Sequence, residues 1–248
     1  MENKPGIRNR IEAALANSRW AQLGEIVSVF LVAFVVITAC KPIVADNVIA
    51  MQGVTWVANI LMLLIVWFGL RLRGQGIDHF GLSFQRPSFP AVRRTLLRSV
   101  VVFMLATAAF LIGAIVMANI VGIPEGPDLD TYNYLSGNLP MLIIALLAVY
   151  IASSFGEEVI YRAFLINRIS EIGLGGIASP KIAVILSAII FGLAHYDWGI
   201  SGFVQTTFMG LILGFAYLRM KRNLWVLILA HAYMDTILMV QMYFADAR

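Results

Sequence analysis

Seven apolar runs, each close to the length of a bilayer crossing, leave this chain few ways to fold. They fall at about residues 26–40, 48–70, 96–121, 139–160, 181–198, 200–218 and 223–244, and a helix needs roughly 20 apolar residues to cross the hydrocarbon of a membrane. Charged residues are bunched between the runs instead of alternating with them, which excludes an oversized soluble core. The chain is 60% hydrophobic and 13% charged over 248 residues, against roughly 45–50% and 25% in a soluble domain. The expected fold is all-α, a polytopic transmembrane helix bundle of about seven spans.

The basic residues set the orientation. Sixteen of the eighteen fall on one side of the expected topology: in the tail before the first run, between the second and third (Arg71 to Arg98), between the fourth and fifth, and between the sixth and seventh. The other side keeps Lys41 and Arg248, and its loop between the third and fourth runs carries Glu125, Asp128 and Asp130. Because cytoplasmic loops are enriched in Lys and Arg, the N-terminus is expected in the cytoplasm and the C-terminus outside, in a multi-pass protein of the cell membrane. The formal net charge of +4 then points to anionic lipid at the cytoplasmic loops, and nucleic acid is excluded as a partner.

Residues 1–25 read as a cytoplasmic basic tail, 26–138 as a transmembrane half without diagnostic motifs that includes the cytoplasmic connector 71–98, and 139–248 as the half that carries chemistry. Ile37-Thr38-Ala39-Cys40 has the outline of a lipoprotein cleavage box, but the long polar tail and Glu25 beside the apolar run favour an ordinary transmembrane anchor.

Ionisable side chains at membrane depth are costly and mark function by default. Three clusters qualify. Glu157 and Glu158 precede Arg162, with Glu158 and Arg162 four apart on one helix face. Phe191 and His195 lie in the fifth run, and His231 and Asp235, again four apart, in the seventh. At 1.5 Å per residue from the nearest basic anchors, Glu157, His195 and His231 lie about 13–21 Å deep and reach a common layer. Bundling of the three helices would assemble a polar pocket, expected to open toward the cytoplasm.

Peptide hydrolysis in such a pocket needs water held by a general base, a donor for the tetrahedral oxyanion and a route for a proton to the leaving amine. Glu157 with His195 suits the first need and His231 the second, while Glu158 and Arg162 neutralise one another and brace the helix. A catalytic zinc held by two His and a carboxylate is equally consistent with these residue types, through Glu157, His195, His231 and Asp235, although no HExxH helix is present.

The ordered set EExxxR, FxxxH and HxxxD, each in a late apolar helix, resembles the CPBP family, which includes the CAAX prenyl endopeptidases and bacteriocin-processing or immunity-type membrane proteins. The resemblance spans roughly residues 139–244 and implies a glutamate-dependent intramembrane endopeptidase cleaving peptide or membrane-protein substrates, some of them lipidated, near the cytoplasmic side of the bilayer. It implies Glu157 and His195 as the water-activating pair and His231 as an oxyanion donor. Asp235 stands where CAAX proteases typically carry Asn. An ionised Asp would repel an oxyanion, so the residue is expected to orient His231, to ligate a metal or to be protonated.

Two other readings compete. A non-catalytic scaffold or immunity protein of the same family has no use for so many buried ionisable groups. A proton-coupled transporter could use Glu157, His195, His231 and Asp235 as a relay, but would be expected to show internal repeats, and none is evident.

Overall fold

The computed structural model describes residues 7–44, 47–122, 129–173 and 179–245; Glu125 and Asp128 of the acidic loop lie outside them. The described residues form a helical bundle: α1 (Ile7–Asn17), α2 (Arg19–Val44), α3 (Val48–Leu72), α4 (Phe89–Val121), α5 (Leu139–Ile172), α6 (Pro180–Leu193), α7 (Gly199–Arg219) and α8 (Leu224–Phe244). Six of these are long and apolar enough to cross a membrane, and α6, also apolar, brings the set to seven. The protein is an integral, multi-pass membrane protein.

α2 and α4 each start seven residues before their apolar runs, and two further boundaries differ for physical reasons. The fourth run ends near residue 160, yet α5 continues to Ile172 because its charges are neutralised inside the protein: Arg162 pairs with Glu158 and Arg168 with Glu171. The fifth run extends to 198, yet α6 stops at Leu193. Its chain then turns through a short 3-10 segment, Tyr196–Trp198, and Gly199 adopts φ +73°, a left-handed conformation that favours glycine. α2, by contrast, runs unbroken through Cys40 to Val44.

α6 and α7 form a close antiparallel pair. A Cβ on Gly210 would sit 3.2 Å from Ala188 Cα, and one on Gly192 would sit 2.7 Å from the Phe203 carbonyl oxygen. Small residues here let the two backbones approach in the way that packs helices in lipid.

The basic segments collect at one end of the bundle. Glu25 at the start of α2 binds Arg73 through Oε2 at 2.6 Å and lies 3.3 Å from Arg168 Nε on α5. Arg168 in turn binds Glu171 at 2.8 Å and Gln75 at 3.0 Å. The connector after α3 is pinned to the α7–α8 turn: Tyr217 Oη donates to the Phe80 carbonyl at 3.3 Å and Trp225 Nε1 to the Ser83 carbonyl at 3.0 Å. At the other end the Gly137 amide donates to the Tyr243 carbonyl at 3.0 Å, which ties the entry of α5 to the exit of α8.

Candidate active site

The site lies where α5 loses α-helical regularity. Residues Tyr150–Phe155 and Glu158–Leu165 are π-helical, and Gly156 and Glu157 sit between the two segments. Such wide turns are rare, and most occur at functional sites. Glu157 and Glu158 therefore diverge. Glu157 is half-buried and its Oε2 has no hydrogen-bond partner within the protein, whereas Glu158 is completely buried.

His231 on α8 meets both glutamates. Its Nδ1 lies 2.8 Å from Glu158 Oε1, so Nδ1–H donates to that carboxylate and Nε2 is turned the other way. Nε2 faces Glu157 Oε2 at 3.9 Å, Asp235 Oδ1 at 3.8 Å and Ser153 Oγ at 3.5 Å. These three oxygens, from two helices, border one small gap beside the ring. Asp235 is fixed from behind by Ser154, whose hydroxyl donates to Oδ2 at 2.6 Å.

His195 joins through Phe191. Its Nδ1–H donates to the Phe191 carbonyl at 2.8 Å, which leaves Nε2 as an acceptor. The Phe191 ring contacts the His195 ring at 4.6 Å and the His231 ring at 6.4 Å between centroids, and Arg162 stacks on it at 4.2 Å. Arg162 Nη1 lies 3.1 Å from Glu158 Oε1 but without hydrogen-bond alignment, so its charge is held by the ion pair and the aromatic face together. Glu157 is coupled electrostatically to both histidines.

All six residues singled out by their spacing, Glu157, Glu158, Arg162, His195, His231 and Asp235, thus belong to one cluster. Ser153 and Ser154 were not among them, because two serines in an apolar helix carry no spacing signal. Phe191, readable as packing alone, is the platform between the histidines and Arg162. Among the described residues no three His, Cys, Asp or Glu side chains are gathered closely enough to hold a metal ion.

On the basic side of the cluster the described helices pack closely. Every residue from Glu158 to Arg168 is buried, and so are Leu224, Val226, Leu227, Ile228 and Ala230 on the facing part of α8. Phe80, Val184, Leu213 and Tyr217 complete this plug. Beyond His231 the pattern changes: residues 232–238 of α8 are half-buried or exposed.

No curated protein and no solved structure matches the chain. Residues 139–237, which span every residue of the cluster, match the family model of type II CAAX prenyl endopeptidases, Rce1-like.

Proposed function

We propose that the chain is an intramembrane endopeptidase in which Glu157 is the general base, a reading that extends the family's endopeptidase character to this cluster. The observation that carries it is the gap at His231 Nε2, bordered within 3.9 Å by Glu157, Asp235 and Ser153 on helices long and apolar enough to cross a membrane.

A water between Glu157 and the acceptor Nε2 of His195 gives a proton to the Glu157 carboxylate as its oxygen attacks the scissile carbonyl. The carbonyl becomes a tetrahedral oxyanion, and His231 with both nitrogens protonated donates to it from Nε2 while Nδ1–H stays on Glu158. The proton on Glu157 then moves to the leaving nitrogen as the C–N bond breaks, and the base is regenerated. Asp235, held by Ser154, presents an acceptor to the same gap and orients the attacking water or the departing N–H, so the oxyanion relies on His231 and not on residue 235. Glu158 and Arg162 act as positioning residues for His231 and Phe191. The arginines exposed at the basic end, among them Arg86, Arg93, Arg94 and Arg98, would take anionic headgroups of the cell membrane.

The test incubates liposome-embedded protein with prenylated and unmodified membrane peptides, comparing wild type with Glu157→Ala and with chelator-treated protein. Cleavage is expected from wild type and a loss of about 10²–10⁴-fold in Glu157→Ala, the range for a general base. Cleavage surviving in Glu157→Ala would remove Glu157 from the mechanism. Loss with chelator would call for a metal beside it, and a wild type inert across the panel would favour the scaffold reading.

A further inference from the structure

Resting on the endopeptidase reading, we propose that Ser187 of α6 is a positioning residue. Its hydroxyl holds the second π-helical segment of α5, and so sets how Glu157 and Glu158 diverge and how His195 stands against Glu157.

Ser187 is a buried polar side chain that the mechanism above does not use. It is 2% exposed, and its Oγ donates to the Tyr161 carbonyl on α5 at 2.6 Å, across 26 positions. A hydroxyl inside an apolar helix commonly bonds back to a carbonyl of its own helix. Ser170 does so to Ile166 at 2.6 Å and Thr206 to Gly202 at 2.7 Å. Ser187 reaches across to the neighbouring backbone instead.

Where that bond lands carries the argument. Tyr161 lies within the π-helical segment Glu158–Leu165, which follows Glu157 directly. Among the described residues, two carbonyls of this segment accept from a side chain: Tyr161 from Ser187, and Ala163 from Asn167 of α5 itself at 2.6 Å. Ser187 is thus the donor that ties the segment to another helix. A helix departs from regularity where a side chain enters its hydrogen-bond ladder. A second donor on the Tyr161 carbonyl competes with the intrahelical bond and favours the wide turn. Closing that turn to an α-helical one would rotate the glutamates by up to about 100° against the rest of α5. Glu158 would then leave His231 Nδ1, where it now sits at 2.8 Å.

The chain from Ser187 leads straight into the site. Ser187, Phe191 and His195 are spaced four apart, so the residue that grips α5 is in line with the ring that carries Arg162 and with the imidazole beyond it. Phe191 meets the Tyr161 ring edge-on at 5.0 Å between centroids and Arg162 at 4.2 Å. Ring contacts of this kind tolerate small slides. The Ser187 hydrogen bond, which weakens steeply away from its preferred geometry, fixes the register of α6 on α5. Misplacement by about 1 Å at a reacting centre can cost about 10²-fold in rate.

Ring-nitrogen NMR of isotope-labelled histidines, of which the chain has three, tests this without substrate. Wild type is compared with Ser187→Ala, with the nearly isosteric weak donor Ser187→Cys, and with Ser170→Ala, which removes a hydroxyl from a carbonyl in the α-helical part of α5. Ser187→Ala is expected to shift the His231 ring signals as Glu158 leaves Nδ1, and Ser187→Cys to shift them the same way by less; Ser170→Ala should match wild type. In cleavage, kcat of Ser187→Ala should fall about tenfold or more with KM nearly unchanged, the pattern of an effect felt in the transition state. Unchanged His231 and His195 signals in folded Ser187→Ala or, should that variant not fold, in Ser187→Cys would overturn the proposal whatever the rate. Equal shifts in Ser170→Ala would overturn it too. A shift in protein that cleaves no peptide would contradict the endopeptidase reading and leave the placement of the layer by Ser187 standing.

Discussion

Arg162 joins the two halves of the ionisable layer, since the same guanidinium neutralises Glu158 and stacks on Phe191. Its side chain is 1% exposed and that of Glu158 is 0% exposed. Arg162→Ala would leave the buried Glu158 carboxylate with His231 as its remaining partner, a loss of up to about 3–5 kcal/mol. The double variant Glu158→Gln/Arg162→Met should recover most of that stability, with thermal unfolding in detergent as the measurement, yet stay inactive because His231 loses its carboxylate. Additive losses in the two single variants would show that the pair is not coupled. A second prediction concerns Ser154: Ser154→Ala removes the hydrogen bond that fixes Asp235 and should lower the cleavage rate roughly tenfold or more, given about 1.5–3 kcal/mol for a hydrogen bond to a charged group. An unchanged rate would mean that Asp235 is oriented by something else. At this scale the sequence was legible wherever a pair is local: Glu158 with Arg162, Phe191 with His195 and His231 with Asp235 are all four apart. Ser154 with Asp235 is a contact across 81 positions, and no periodicity announces it.

Among elements, the α6–α7 pair sets where His195 sits. A side chain at Gly192 would press into Thr207 and the Phe203 carbonyl on α7, so Gly192→Val should destabilise the protein by about 1–3 kcal/mol through overpacking. It should also depress activity by tilting the helix that ends at His195. Unfolding curves and cleavage rates check both, and an active, fully stable Gly192→Val would show that the approach is not limiting. At the basic end, burial and Arg168 lower the pKa of His79 below its usual value, with Glu171 opposing. The unfolded chain then binds a proton more readily than the folded one. The contribution of His79 to stability is full above its unfolded pKa of about 6.5 and is lost as pH falls through the lower folded value. Unfolding temperature should therefore fall less on acidification in His79→Gln than in wild type, and identical pH profiles would contradict this. The apolar runs located the elements to within a turn at most ends. They failed at α5, where charges paired inside the protein let the helix continue past residue 160, and they cannot announce π-helical turns, which leave hydrophobic periodicity almost unchanged.

For the molecule as a whole, the sorting of Lys and Arg by loop predicts one basic end, and the described basic segments do gather at one end through Glu25, Arg73, Arg168 and the connector. Depth along each helix follows from counting residues, but which side of the polar layer is filled depends on side chains from α3, α5, α7, α8 and the connector meeting in one plug. The short α6, the π-helical α5 and α8 converge on one ionisable layer, which we propose is hydrolytic. The chemical premise is that one carboxylate, Glu157, takes the proton from water while its neighbour Glu158 does not. The direct measurement is the cleavage rate of a panel-derived peptide by liposome-embedded wild type, Glu157→Gln and Glu157→Asp, with unfolding temperature as a check on folding. The expected result is a Glu157→Gln variant that is as stable as wild type but at least about 10²-fold slower, with Glu157→Asp between the two. A folded Glu157→Gln variant that cleaves at the wild-type rate would contradict the account.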